Sequence, residues 1–110
     1  MKIAAIIPAY NEEKSIGLVV AAIPRPMVSE VIVADNNSTD DTAKGARAAG
    51  ARVVFEAEPG YGAACLAGIA EARRLGADLI VFLDSDFSDY PEEIPALIAS
   101  WQSPDGASER

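Results

Sequence analysis

The fold is decided by Leu79-Ile80-Val81-Phe82-Leu83-Asp84-Ser85-Asp86, in which five apolar residues lead directly into two carboxylates separated by one residue. A short, uninterrupted apolar run predicts a β-strand buried on both faces. Asp84 and Asp86 then lie at the carboxyl end of the strand, where open α/β sheets bind their ligands. Residues i and i+2 of an extended segment project to the same side, so the two carboxylates repel each other unless a cation neutralises them. Two interpretations fit the pattern equally well: a divalent metal that carries phosphate oxygens, or one Asp that caps the next turn beside a solvated Asp.

Strands and helices are predicted to alternate along the whole chain. The predicted strands are residues 3–7, which Pro8 is expected to stop, and residues 31–34, 52–55 and 79–83. Helices are expected to begin at Asn11-Glu12-Glu13, after a capping box at Ser38–Asp41, at Ala63 and at Pro91. The helix from Ala63 is expected to end at Leu75 and to bury Leu66, Ile69 and Ala70. This β-α-β-α-β-α-β-α order predicts one α/β domain over residues 1–103, with a parallel, Rossmann-like, doubly wound sheet. Residues 104–110 are predicted to form a disordered tail.

A polar or glycine-rich segment follows each predicted strand. These segments are Asn11-Glu12, Asp35, Gly60-Tyr61-Gly62 and Asp84-Ser85-Asp86. The carboxyl ends of parallel strands meet at one edge of a sheet, so we expect the four segments to form one site.

Each of these residues also has a purely structural interpretation. Gly60 and Gly62 either let the backbone approach a ligand or simply make the turn. Asp35 either closes a turn through side-chain-to-backbone bonds or accepts hydrogen bonds from a nucleobase or ribose. Tyr10 either stacks on a base or covers the sheet edge.

Composition excludes several classes of function. The 110 residues carry nine basic and seventeen acidic side chains, a net charge of −8, which disfavours nucleic acid and anionic membrane surfaces as partners. The chain has no histidine, so Ser-His and Cys-His catalysis and imidazole–metal sites are excluded. Cys65, the single cysteine, cannot form an intrachain disulfide and is interpreted as a small core residue. With no apparent secretory signal and no apolar stretch near the roughly 20 residues of a transmembrane segment, a cytoplasmic protein is expected.

Two phosphate-binding motifs are also excluded. Gly60-Tyr61-Gly62 looks like the start of a dinucleotide fingerprint, but its third glycine position is Cys65 and it follows the third strand instead of the first. A Walker loop is absent because the sequence has no Gly-Lys-Ser or Gly-Lys-Thr.

Four motifs together resemble the opening, nucleotide-sugar-binding half of the family-2 glycosyltransferases, which have the GT-A fold. In order, they are Pro8-Ala9-Tyr10-Asn11-Glu12, residues 33–40, Gly60-Tyr61-Gly62 and Phe82-Leu83-Asp84-Ser85-Asp86. The resemblance covers residues 3–100 and is greatest to the polyprenyl-phosphate, or dolichyl-phosphate-type, sugar transferases. It implies a sheet order of 3-2-1-4 and a nucleoside-diphosphate-sugar donor.

The resemblance also implies the roles of individual residues. Asp84, Ser85 and Asp86 match the family's Asp-X-Asp, whose second acid typically meets the divalent metal that bridges the diphosphate; Asp84 and Asp86 are therefore the candidate ligands of Mg²⁺ or Mn²⁺. Asp35 matches the acid that contacts the nucleobase. Asn36 departs from the family pattern, which often has a second Asp there, and this departure bears on which base is bound. The remaining nucleotide-sugar-binding candidates are Pro8, Ala9, Tyr10 and Glu12 of the first loop, with Gly60 and Gly62.

The implied reaction is attack of an acceptor oxygen, in this subfamily a polyprenyl phosphate, on the anomeric carbon of the sugar. No catalytic base is assigned, because Asp89 and Glu92 are more simply explained as helix-start residues. The alternative is a non-catalytic nucleotide-sugar-binding module, because family members continue into a second half that supplies the acceptor site. A receiver-like or phosphohydrolase domain is disfavoured because its paired acids follow the first strand.

The resemblance implies a truncated glycosyltransferase domain, which is expected to catalyse poorly alone and to form a homo-oligomer. The predicted last helix carries more apolar residues than a solvated helix needs, and they are Ile94, Leu97, Ile98 and Trp101.

Overall fold

The structure, a computed structural model, describes residues 1–86. In this range strands and helices alternate as predicted. They are β1 (Ile3–Ala9), α1 (Ile16–Ala22), β2 (Glu30–Asp35), α2 (Thr42–Ala48), β3 (Arg52–Phe55), α3 (Tyr61–Arg74) and β4 (Leu79–Phe82). The helix expected from Pro91 and the tail expected over residues 104–110 lie outside the described residues.

The four strands of the described range form one parallel sheet in the order β3-β2-β1-β4, which confirms the predicted order. The chain first builds outward from β1 to β2 and β3, and then returns to place β4 on the other side of β1. The strand order therefore reverses between β1 and β4, and in open α/β sheets the crevice at such a switch point is the usual ligand site.

Helices cover both faces of the sheet. The side chains of β1 alternate between two apolar clusters, as the two-residue period of a strand requires. One cluster joins Ile7 of β1 to Ile16 and Val19 of α1, and the other joins Ile6 to Ala72 of α3. Every residue of β1 is buried, as expected for the central strand of a doubly wound sheet.

Strand β4 is less buried than its sequence predicts. Residues Leu79–Val81 are half-buried and Phe82 is 41% exposed, so the predicted burial on both faces is wrong. Within the described part of the chain β4 pairs only with β1, which leaves its other edge without a neighbouring strand.

The predicted stop at Pro8 is also wrong, since β1 continues through it to Ala9. The carbonyl of Ile6 accepts a hydrogen bond from Leu83 on the β4 side of β1, and that of Ala9 accepts one from Asn36 on the β2 side. Alternate residues face alternate neighbours, so Pro8 faces the β4 side. The last β1–β4 pair is Ile6 with Phe82, and the N–H that Pro8 lacks is therefore not needed for the ladder.

Helices α1 and α2 begin later than predicted. Helix α1 begins at Ile16 instead of Asn11–Glu13, because Asn11 has a positive φ of 52° and its N–H bonds to Ser38. The capping box predicted at Ser38–Asp41 is wrong, because Ser38 accepts that bond and α2 begins at Thr42.

Helix α3 begins two residues earlier than predicted and presents a different face to the sheet. Its buried residues are Ala64, Gly68 and Ala72, whereas Leu66 is 68% exposed. Ala70 is exposed as well, and of the predicted buried face only Ile69 packs against the core. Cys65 is half-buried instead of being a core residue. None of the helices in residues 1–86 has the length and apolar character that a membrane span requires.

Candidate functional site

A cavity of ≈ 840 Å³ opens at the carboxyl edge of the sheet. It is lined by segments that follow all four strands and by the first turn of α3. Its volume lies in the range of pockets that hold small molecules and cofactors. Eight of the ten predicted site residues line it, namely Pro8, Ala9, Tyr10, Glu12, Gly60, Asp84, Ser85 and Asp86.

Asp35 and Gly62 are the two predicted site residues that do not line the cavity. Asp35 ends β2, is 4% exposed, and accepts a hydrogen bond from the N–H of Ser38 at 3.2 Å through Oδ1. This bond closes the turn after the strand, as in the structural interpretation of Asp35. Its predicted contact with a nucleobase stays a prediction.

The cavity also contains six residues that were not among the predicted site residues. They are Asn36, Asn37, Ala57, Pro59, Tyr61 and Ala64. The signal for Asn36 and Asn37 was their position directly after β2, and the signal for Tyr61 was its place within Gly60-Tyr61-Gly62. Tyr10 and Tyr61 are 58% and 63% exposed, so both offer aromatic surface to a ligand in the cavity.

The loop after β1 is held against the loop after β2 by side-chain-to-backbone hydrogen bonds. Thr39 N–H donates to Asn11 Oδ1 at 2.8 Å, and Glu12 N–H donates to Thr42 Oγ1 at 2.8 Å. The Thr42 hydroxyl in turn donates to Asp40, and this bond holds the pKa of the Asp40 carboxyl below its usual value, with burial opposing the effect. Asp40 is therefore an ionised acceptor that organises this loop.

Ser15 connects the loop after β1 to the acidic segment after β4. It occupies the N-cap position of α1 but makes no side-chain cap bond. Its hydroxyl instead donates to the carbonyl oxygen of Ser85 at 2.7 Å, and it also lies 3.2 Å from Glu12 Oε2. Because Ser85 lies between Asp84 and Asp86, this bond helps to hold both acids at the cavity.

The acids at the cavity fit a divalent cation that is shared with a ligand. Within residues 1–86 no group of three or more Asp, Glu, Cys or His side chains is placed to hold a metal ion without help. Asp84 and Asp86 provide carboxylate oxygens, which suit Mg²⁺ and Mn²⁺. Mg²⁺ is commonly bound by one or two carboxylates together with the phosphates of a substrate, so the residues present match that type of site.

The start of α3 provides a second feature that suits phosphate. Gly60, the N-cap residue, has φ of 119°, a conformation open to glycine, and makes no side-chain cap bond to the helix. The N–H groups of a helix's first turn lack partners inside the helix and favour negative charge. The cavity therefore combines acids that can hold a cation with a helix start that can accept an anion.

Comparison with known proteins identifies relatives of the chain. Residues 4–108 match the sequence model of Glycosyl transferase family 2. A protein of Mycobacterium tuberculosis, named as an uncharacterized glycosyltransferase, is 41% identical over 97 residues, which cover 88% of this chain and 42% of that protein. The glucosyl-3-phosphoglycerate synthase of Mycolicibacterium paratuberculosis is 38% identical over 116 aligned positions, covering 94% of this chain and 34% of the synthase.

Solved structures share the fold. The crystal structure of glucosyl-3-phosphoglycerate synthase from Mycobacterium tuberculosis with Mn²⁺, UDP-glucose and phosphoglyceric acid matches with a TM-score of 0.81 and 34% identity, covering 94% of this chain and 40% of that one. The structure of the same enzyme with Mg²⁺ and UDP matches with a TM-score of 0.80, 35% identity, and coverage of 93% and 40%. These matches confirm the GT-A type of sheet. The chain spans 34% to 42% of the length of these relatives.

Proposed function

The chain belongs to glycosyl transferase family 2, and from this premise we propose that it forms the donor-binding part of a glycosyltransferase. The donor is a nucleoside-diphosphate sugar bound with Mg²⁺ or Mn²⁺. The observation that carries the proposal is the position of Asp84 and Asp86 in one cavity with the start of α3, at the switch point of the sheet.

UDP-glucose is the donor we propose. Similar proteins are named glucosyl-3-phosphoglycerate synthases, and one of them has been crystallised with UDP-glucose and Mn²⁺. The acids after β4 would hold the cation, which when bound neutralises charge on the departing diphosphate. Tyr10 and Tyr61 offer surface to the base or the sugar, and the first turn of α3 offers N–H groups to a phosphate.

In the proposed reaction an acceptor oxygen forms a bond to the anomeric carbon while the bond from that carbon to the diphosphate breaks, releasing UDP. A hydroxyl acceptor passes its proton to a general base, a role assigned to no residue in the described part of the chain. For the acceptor we propose a small phosphorylated hydroxy acid, since the similar crystal structure contains phosphoglyceric acid. The polyprenyl phosphate implied by the sequence resemblance has no support among the relatives reported above.

Calorimetric titration with UDP, UDP-glucose and GDP, in Mn²⁺ and in chelator, tests the donor site. We expect UDP and UDP-glucose to bind at least about tenfold more tightly with metal, or about 1.4 kcal/mol. Asp86→Asn should abolish this metal dependence, whereas Asp35→Ala should weaken nucleotide binding and leave the dependence intact. Asp41→Asn is the matched control, because Asp41 is exposed, makes no side-chain cap bond and does not line the cavity.

Equal affinity in metal and chelator, or no nucleotide binding, would contradict the proposal. Identical behaviour of the Asp35 and Asp86 variants would contradict their separate roles. Binding without release of UDP in the presence of phosphoglyceric acid would favour the non-catalytic module. The homo-oligomer expected from the sequence stays a prediction, and light scattering that shows only monomers would contradict it.

A further inference from the structure

Two neighbouring side-chain amides, Asn36 and Asn37, hold the loop between β3 and α3. We call this pair the amide clamp. Asn36 Nδ2 donates to the backbone carbonyl oxygens of Glu56 at 3.0 Å and Glu58 at 2.7 Å. Asn37 Nδ2 donates to the carbonyl oxygen of Ala57 at 3.0 Å, and to that of Glu56 at 3.3 Å. Four hydrogen bonds from the two side chains to three consecutive backbone carbonyls therefore fix the first half of the loop from one side.

The clamp also reaches the start of α3. The N–H of Gly60 donates to Asn36 Oδ1 at 2.9 Å, so the Asn36 amide uses both of its N–H groups and its oxygen on one loop. Asn37 adopts φ of 66°, a left-handed conformation that asparagine tolerates, and this conformation is part of the turn after β2. The loop contributes Ala57, Pro59 and Gly60 to the cavity wall.

The chemistry of the clamp requires an amide at position 36. An aspartate there has nearly the same shape but, when ionised, donates no hydrogen bond. The oxygen that replaces Nδ2 would face the carbonyl oxygens of Glu56 and Glu58, which repel it, while the other oxygen could still accept from the Gly60 N–H. Asn36 is the position where the resemblance implied a second Asp, and the amide has a structural role there, because it donates to two carbonyls of the loop and accepts from the N–H of Gly60.

We propose that the amide clamp positions the β3–α3 loop as one wall of the nucleotide cavity, and so sets the affinity for the nucleotide independently of the metal. The inference rests on the proposed function. Asn36 and Asn37 act here as positioning residues, because their amides are bonded to the loop. The acids that would hold the metal follow β4, on the far side of β1 from β2, so the clamp and the metal are expected to contribute separately.

Asn36→Asp tests this inference with one isosteric change. UDP affinity is measured by calorimetry in Mn²⁺ and in chelator, and circular dichroism with thermal unfolding verifies that the variant is folded. We expect affinity to fall by about tenfold, or about 1.4 kcal/mol, and by the same factor in both conditions. Arg73→Gln, which changes net charge by the same amount in the exposed last turn of α3, should bind UDP as the unmodified chain does.

Asn37→Asp is a second, milder test, because Asn37 is exposed and its two bonds are longer. It should lower affinity by about threefold, again equally with and without metal. If Asn36→Asp fails to fold, this variant decides the question, and unchanged affinity in it overturns the inference. A folded Asn36→Asp chain that binds UDP normally, or loses affinity only in Mn²⁺, also overturns it. Absence of UDP binding by the unmodified chain would instead contradict the proposed function.

Discussion

Gly68→Ala should destabilise the protein, because α3 packs closely against β1 at this position. A Cβ atom at residue 68 would lie 2.4 Å from Ile6 Cγ2 and 3.4 Å from Ile6 Cβ. Ile6 is fully buried in the central strand and its branched Cβ leaves little rotamer freedom, so the side chain cannot simply turn away. Overpacking of this kind costs up to about 3 kcal/mol, and alanine returns about 1 kcal/mol in helix propensity. The net expected loss is about 2 kcal/mol, which lowers Tm by roughly 10 °C in a domain of this size.

Thermal and urea unfolding, followed by circular dichroism, measure this loss. Gly17→Ala in α1 is the matched control, because a Cβ there meets only the carbonyl oxygen of Gly45 at an ordinary 3.7 Å. The control should leave stability unchanged or raise it by up to about 1 kcal/mol. If Gly68→Ala is as stable as the unmodified chain, α3 has room above β1, and the close approach described here is wrong.

Three further predictions concern the loops and the pH dependence of stability. Ser15→Ala should weaken UDP binding in Mn²⁺ by about three- to tenfold but not in chelator, since the substitution removes the hydrogen bond to Ser85. Ser15→Thr, which keeps a hydroxyl, should restore the affinity, and an equal loss of affinity in chelator would contradict the prediction. The side-chain hydrogen bond with Arg74 lowers the pKa of Glu71 in the folded protein. Ionised Glu71 therefore stabilises the fold fully above the pKa that Glu71 has in the unfolded chain, and this stabilisation is lost as the pH falls through the lowered pKa of the folded state. Glu71→Gln should flatten acid unfolding in that range, and an unchanged pH profile would count against this. Asp40→Ala, which removes the acceptor of the Thr42 hydroxyl, should lower Tm by a few degrees in calorimetric scans, whereas a rise would contradict its organising role.

The strand order and the location of the site follow from rules that operate on short segments. Apolar runs such as residues 3–7 and 31–34 mark buried strands, and right-handed crossovers between parallel strands then leave few arrangements. Because ligands bind at the carboxyl ends of parallel strands, Asp84 and Asp86 were expected to share one site with Tyr10 and Gly60, and all four line the same cavity although they lie far apart in the sequence.

Helix starts were predicted poorly because distant residues determine them. The sequence around Ser38 has the spacing of a capping box, but the hydroxyl accepts a hydrogen bond from Asn11, 27 residues away. Asn11 and Glu12 likewise remain outside α1, because their N–H groups bond to Ser38 in the loop after β2 and to Thr42 at the start of α2. A capping rule that considers only neighbouring residues does not account for hydrogen bonds to residues distant in the sequence.

The buried face of α3 was missed for a different reason. Hydrophobic periodicity assigns large apolar residues such as Leu66 to the core. Where a helix lies close to a sheet, however, small residues such as Gly68 occupy the contact and larger ones point away. The two side-chain amides after β2 were missed because their contribution depends on backbone carbonyls of another loop.

Asp84 and Asp86 are proposed to hold a divalent cation together with a nucleoside diphosphate at the carboxyl edge of the sheet. Paramagnetic broadening of backbone amide signals by substoichiometric Mn²⁺, with and without UDP, tests this proposal most directly. We expect UDP to produce broadening centred on residues 84–86 and to affect the nearby Tyr10 and Gly60 signals as well, and we expect Asp86→Asn to remove the effect. Broadening centred elsewhere, or broadening unaffected by UDP and by Asp86→Asn, would contradict it.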